Sequence, residues 1–182
     1  MFRYAMLCVI ALPLAGADWQ PPRFEAGVLV GGIQESVLGE SPVIAGGRVA
    51  VRAWRYIGGE VELSRYPVGG ATSLFPATQA LFGARIGGRI GGIGLYGKVR
   101  PGFMRFDQNL YVPGLDTRAV LDLGGVLEFY SRRHLAARID FGDTVTCYGS
   151  DIVIPPISGI GGDVIPGTRQ QFQWSLGVSG WF

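Results

Sequence analysis

Apolar and polar residues alternate one for one along much of this chain, the period of a β-strand whose two faces meet different surroundings. The clearest case runs from Arg118 to Tyr130. Ala119, Leu121, Leu123, Gly125, Leu127 and Phe129 share one face, and Arg118, Val120, Asp122, Gly124, Val126 and Glu128 share the other. After a link of only Ser131 to His134, Leu135, Ala137, Ile139 and Phe141 alternate with Ala136, Arg138, Asp140 and Gly142. Near the end, Phe172, Trp174, Leu176, Val178 and Phe182 oppose Gln171, Gln173, Ser175, Gly177 and Ser179. Upstream, segments from about Ala45 to Trp54 and from about Gly59 to Tyr66 set Val49, Val51, Ala53, Val61 and Leu63 against Arg48, Arg52, Glu60, Glu62 and Ser64. A further pair, about Gln79 to Ile90 and Gly94 to Arg105, sets Phe82, Ala84, Ile86, Ile90, Leu95, Val99 and Phe103 against Arg85, Arg89, Tyr96, Lys98 and Arg100. A less regular segment from about Arg23 to Ile33 brings the predicted strands to eight.

The links between these segments fall into two classes that strictly alternate. Arg55 to Gly58, Gly91 to Ile93 and Ser131 to His134 are short; Gln34 to Ile44, Pro67 to Thr78, Asp107 to Asp116 and Ser150 to Thr168 are long. Transmembrane β-barrels have this rhythm, with short periplasmic turns, longer extracellular loops and an even strand count. The strands have the length needed to cross a bilayer when tilted, about 9–11 residues. In hydrocarbon the sheet must close, because an open edge leaves backbone donors and acceptors unpaired. The pattern therefore predicts an all-β fold, an eight-stranded antiparallel up-and-down transmembrane barrel. Pro101 cannot donate to a ladder and implies a bulge or distorted pairing around Arg100-Pro101-Gly102.

Composition agrees with a non-aqueous outer surface. Apolar residues make up 48% of the 182 residues and charged residues only 16%, below the roughly 25% charged fraction of soluble domains. Thirty glycines are scattered through the apolar stretches without a three-residue period, which excludes collagen and suits curved strands. The formal charge of +2 with dispersed arginines gives no support to nucleic-acid binding.

Arg3, an apolar stretch from Ala5 to Leu14 and the small residues Ala15-Gly16-Ala17 form the pattern of a secretory signal peptide. We expect residues 1–17 to be removed and 18–182 to form the barrel domain, with 15 basic against 14 acidic residues. No later stretch reaches the roughly 20 apolar residues of a membrane-spanning helix. Cys8 follows Leu7 rather than a small residue, which argues against lipidation, so Cys147 is the one cysteine of the expected mature chain. Without a His or second Cys nearby in sequence it reads as an inert strand residue.

At the level of pattern the whole mature chain resembles the eight-stranded outer-membrane barrel domains of the OmpA and OmpX type. The most specific part of the resemblance is the closing run Gln173-Trp174-Ser175-Leu176-Gly177-Val178-Ser179-Gly180-Trp181-Phe182. The resemblance implies that Trp174, Leu176, Val178 and Phe182 form the signal read by the barrel-assembly machinery. Gly180 departs from it, standing where that signal commonly has a bulky residue.

The charged face is expected to line the lumen, since an arginine on the lipid face at midplane costs about 2–4 kcal/mol. The predicted lumen network is Arg48, Arg52, Glu60, Glu62, Arg85, Arg89, Lys98, Arg100, Asp122, Glu128, Arg138 and Asp140. An eight-stranded barrel is just wide enough to be filled by such side chains. The lone histidine, His134, falls in a predicted turn beside Arg132 and Arg133, a poor position for a general base. Gly87-Gly88-Arg89-Ile90-Gly91-Gly92 lacks the Gly-Lys-Ser/Thr ending of a phosphate loop. We therefore expect no catalytic, cofactor or metal site. Parity turns Trp54 inward, while Tyr56, Trp174, Trp181 and Phe182 fit an interfacial girdle. Two long loops carry apolar residues, among them Leu110, Tyr111, Val112 and Ile152, Val153, Ile154, Ile157. These either mark an extracellular partner or, for Ile152 to Ile154, extend the seventh strand above the membrane or pack on neighbouring loops. The reading is an outer-membrane structural or interaction protein, with membrane lipid and the assembly machinery as further partners. A narrow ion or small-solute channel and a soluble periplasmic lipocalin-like carrier are the alternatives.

Overall fold

The computed structural model describes residues 24–34, 43–66, 76–107, 117–131, 134–149, 152–154, 163–165 and 167–182. The expected signal peptide, 1–17, and most of the long loops lie outside these residues. The strands are β1 (Phe24–Gln34), β2 (Val43–Arg52), β3 (Ile57–Tyr66), β4 (Ala77–Ile90), β5 (Ile93–Phe106), β6 (Thr117–Tyr130), β7 (Leu135–Cys147), β8 (Ile152–Ile154), β9 (Asp163–Ile165) and β10 (Thr168–Trp181). Eight of them close a barrel in the order β1-β10-β7-β6-β5-β4-β3-β2, and β8 and β9 form a separate two-stranded sheet. All neighbours in the barrel are antiparallel and, apart from the closing β1–β10 pair, consecutive barrel strands pair with each other. The fold is thus an all-β, up-and-down, eight-stranded barrel, as the alternation predicts.

Hairpins at one end are tight. Ile90 pairs directly with Ile93, leaving a two-residue turn whose first position, Gly91, has φ of 56°, a backbone region that glycine enters without strain. At the β2–β3 turn the backbone N–H groups of Ala53 and Trp54 both donate to Ile57 O, at 3.1 and 2.9 Å. That turn corrects one expectation: β2 stops at Arg52, so strand parity no longer applies to Trp54, which is 74% exposed. Ile152 to Ile154 likewise do not continue β7. The N–H groups of Tyr148 and Gly149 turn instead to Gly167 O, at 2.7 and 3.2 Å, and β8 pairs with β9.

Pro101 produces no bulge. Its pairing with Leu121 of β6 sits in an unbroken register. On the β4 side the pairing lapses between Leu81–Gly102 and Ala84–Val99 and resumes with no residue gained or lost. The missing proline N–H removes a rung from one neighbour only.

Interior glycines let adjacent backbones approach closely. Gly124 and Gly142 are register partners, and a Cβ on Gly124 would sit 2.1 Å from Phe141 O, one on Gly142 2.2 Å from Leu123 O. The outward faces form an apolar belt that includes Val28, Val61, Leu63, Leu95, Val99, Leu176 and Val178, each about half exposed or more.

Candidate functional site: a lumen filled in two layers

Inward positions of seven strands converge on an ionic layer in which every charged side chain is almost wholly shielded. Glu25 of β1, Glu60 and Glu62 of β3, Asp122 and Glu128 of β6 and Asp140 of β7 face Arg48 of β2, Arg85 of β4, Lys98 and Arg100 of β5 and Arg138 of β7. Two arginines organise it. Arg138 grips Asp140 with two bonds, Nε to Oδ2 at 2.6 Å and Nη2 to Oδ1 at 2.7 Å, and donates to Glu60 at 2.9 and 3.1 Å and to Glu128 at 3.2 Å. Arg100 donates from Nε to Asp122 at 2.7 Å and from Nη1 to Glu62 at 2.7 Å and Glu60 at 3.1 Å. Glu60 is therefore shared by both.

The remaining cations close the circuit. Lys98 Nζ lies 3.0 Å from Asp122 and 3.3 Å from Asp140. Arg48 reaches Asp140 at 3.4 Å. Arg85 joins Glu128 at 2.6 Å and Glu25 at 2.9 Å, and Tyr130 donates to Glu128 and, at 3.2 Å, to Glu25. Charges removed from water persist only when paired and hydrogen-bonded in this way. The planar guanidinium fork suits such shared carboxylates better than an ammonium does.

Of the twelve residues expected in the network, ten lie in the shielded ionic layer and two lie at its edge. Arg52, the last residue of β2, is only partly covered and joins no ion pair among the described residues. Arg89, near the tight turn after β4, donates to Gly91 O and stacks 4.0 Å over the Tyr130 ring. Glu25 was not anticipated, although it shares the inward parity of Leu29 and Ile33 in β1.

Above the ions, toward the long connections, the filling changes character. Leu29, Ile33, Ile44, Tyr66, Ala77, Leu81, Met104 and Val120 form one buried apolar cluster, with Phe106 packed against it. Half of them sit where a strand meets a long link: Ile33 next to last in β1, Ile44 second in β2, Tyr66 last in β3 and Ala77 first in β4. Polar side chains are interleaved with both layers. Gln79 Oε1 accepts from Tyr66 OH at 2.9 Å and from Ser64 at 3.3 Å, and Thr144 donates to Gln173 at 2.8 Å. A lumen filled by polar side chains was the expectation; among the described residues an apolar cluster, with buried polar residues such as Gln79 and Thr146 beside it, adds to the ionic layer.

Elsewhere, His134 sits at φ of 58°, with its ring 4.5 Å from that of Trp181 and its carbonyl accepting from Trp181 N–H at 3.0 Å. Trp174, Leu176, Val178 and Phe182 all point outward from the closing strand or its end.

A charged interior inside an apolar exterior inverts the polarity of a soluble ligand-carrying barrel and defines the class: this is the fold of the eight-stranded outer-membrane β-barrels. Among solved structures it is similar to Neisserial surface protein A (NspA), at a TM-score of 0.61 and 15% identity over 87% of this chain and 96% of that one. A second similar structure is Ail, the attachment invasion locus protein of Yersinia pestis, in complex with the heparin analogue sucrose octasulfate. It aligns at a TM-score of 0.46 and 15% identity over 88% of this chain and 99% of that one. No protein-family model matches the sequence, and no curated protein matches it.

Proposed function

We propose that this chain is an integral bacterial outer-membrane protein, exported by its N-terminal signal, whose barrel is a sealed, non-catalytic scaffold. Its four longer connections, with the β8–β9 hairpin in the last of them, form an interaction surface on the extracellular side. The C-terminal residues Trp174, Leu176, Val178 and Phe182 serve its delivery to the assembly machinery. One observation carries the reading: the lumen is occupied twice over, by interlocked ions and by a packed apolar lid. Conduction requires a continuous wet path, and the dense ionic and apolar filling opposes one. A surface that is mostly Val, Leu, Ile and Phe on its outward positions equally opposes a water-soluble carrier.

Two measurements test this. In a planar bilayer the purified protein should give a trace indistinguishable from protein-free lipid, and stepwise conductance would overturn the sealed scaffold. After carbonate washing of cells the protein should stay with the membranes; recovery in the soluble fraction would reinstate the carrier.

A further inference from the structure

One residue of the outward face does not fit a surface made only for lipid. Asp143 of β7 has the outward parity of Ile139 and Phe141, and among the described residues it is the one acid on an outward position of the eight barrel strands. Phe141 and Val145 are its outward neighbours along β7, and its register partners are Leu123 of β6 and Phe172 of β10. All four are apolar, and Leu123, Phe141 and Phe172 are exposed, so the carboxylate lies within the belt rather than beyond its border. Its Oδ2 accepts from Gln170 Nε2 at 3.0 Å, and Oδ1 has no partner among the described residues. A carboxylate that faces hydrocarbon is costly unless a partner pairs with it.

The opposite side of the barrel carries a counter-charge at the same depth. β7 and β3 are diametrically opposed, with three strands between them in either direction round the ring. Followed through β6, β5 and β4, the register leads from Asp143 by way of Leu123, Val99 and Ala84 to Gly59, six residues short of Arg65. Followed the other way, through Phe172 and Gln34, the same one-for-one pairing carried across β2 arrives four residues past Arg65. The two answers differ because tilted strands make a ladder climb as it circles the barrel; over equal paths in opposite directions the climb cancels. The level of Asp143 on β3 is therefore midway, within one residue of Arg65. Arg65 is exposed and outward, and donates from Nη2 to Asp107 at 2.6 Å and from Nη1 to Thr78 Oγ1 at 3.2 Å. Its Nε–H is left for a second acceptor. Arg105, the other outward cation, lies two strands round from this point, on β5.

From this placement we propose that a second copy of this chain packs beside the first in the membrane, the β3 side of one against the β7 side of the other, with Arg65 of one paired to Asp143 of the next. The proposal rests on the membrane-spanning reading, which sets both barrels upright at one depth. Arg65 then bridges Asp107 of its own chain and Asp143 of its neighbour. Enclosed between two apolar faces, the pair lies in the low-dielectric surroundings where opposite charges attract most strongly. Because the two contact sites lie on opposite sides of one barrel, the contact is heterologous and does not close on itself, so copies line up in rows.

Disulfide capture in phosphatidylcholine vesicles tests this, in a Cys147→Ser background that removes the one cysteine of the expected mature chain. Phe141→Cys and Leu63→Cys place thiols on the outward positions just below Asp143 and Arg65. With oxygen and a copper catalyst, a chain carrying both should give a ladder of dimers, trimers and longer rows, and a chain carrying either alone should stay monomeric. Asp143→Asn or Arg65→Gln, added to the two-cysteine chain, should lower the cross-linked yield about fivefold, the scale of one partly exposed ion pair. Asp143→Arg combined with Arg65→Glu should restore it, and Arg105→Gln should leave it unchanged. Folding of every variant is scored by the mobility difference between heated and unheated samples, and insertion by protease protection. A failure of insertion removes the membrane reading and the proposal with it, whereas inserted protein that gives no ladder overturns the rows alone. Dimers from Phe141→Cys alone in equal yield would mean a two-fold contact and overturn the proposal. So would a ladder indifferent to Asp143→Asn, or an equal loss in Arg105→Gln, because the association would then report overall charge.

Discussion

Arg138→Met is the perturbation that bears hardest on the ionic layer. Among the described residues the shielded interior holds six carboxylates, Glu25, Glu60, Glu62, Asp122, Glu128 and Asp140, against five cations, Arg48, Arg85, Lys98, Arg100 and Arg138. Arg138 serves three of the six, Asp140, Glu60 and Glu128. Each of these keeps one other close cation at least: Lys98 for Asp140 at 3.3 Å, Arg100 for Glu60 at 3.1 Å, Arg85 for Glu128 at 2.6 Å. No carboxylate is orphaned outright, yet the surplus of buried negative charge doubles. Replacing a whole buried pair by apolar groups can be neutral, but removing one partner of a buried pair costs about 3–5 kcal/mol. We expect a loss in that range, read from urea titrations in vesicles by heat-dependent mobility and tryptophan fluorescence. Adding Glu60→Gln removes one of the surplus charges and should recover part of the loss, a coupling of about 0.5–3 kcal/mol. An Arg138→Met protein within about 0.5 kcal/mol of the native one, or a double variant whose losses simply add, would refute the reasoning.

Other perturbations separate the layers of the account. Gly124→Ala forces a Cβ to 2.1 Å from Phe141 O and should cost at least the 1–3 kcal/mol typical of overpacking, about as much as Gly142→Ala. Gly47→Ala, whose new Cβ meets nothing closer than Gly27 O at 3.6 Å, should stay within about 0.5 kcal/mol in the same titration. Val61 is 58% exposed between the inward Glu60 and Glu62, and the proposed membrane barrel turns it to mid-bilayer lipid, so Val61→Arg should destabilise by about 2–4 kcal/mol. Trp54→Arg, in the turn at the rim, should cost no more than about 1 kcal/mol.

The number of barrel strands, their direction and the facing of their charged residues were legible, because a period of two has a single reading once one face is charged and the other is not. Glu25 escaped because β1 carries Gly27, Gly31 and Gly32, which blur polarity on both faces. The apolar lid was hidden by the same rule that revealed the barrel. Charged inward residues announce themselves against an apolar outer face, whereas Ile44, Leu81, Met104 and Val120 resemble the lipid-facing residues beside them. Their inward parity with Arg48, Arg85, Arg100 and Asp122 was the available signal. Trp54 misled for the opposite reason, since parity was carried one turn beyond the end of the ladder that enforces it. The effect of Pro101 depends on which neighbour its missing N–H would have met, and that is a property of pairing rather than of one strand. Which arginine holds which carboxylate is likewise set by barrel stagger, which brings Arg138 to Glu60 across 78 positions of sequence.

Contact with lipid can be read residue by residue without altering the protein. Methyl-labelled protein in lipid nanodiscs should show magnetisation transfer from acyl chains to Val28, Val61, Leu63, Leu95 and Leu176, and none to Ile44, Leu81, Val120 or Val126. Transfer to the second set, or its absence from the first, would contradict a barrel that keeps hydrocarbon outside and its ions locked within.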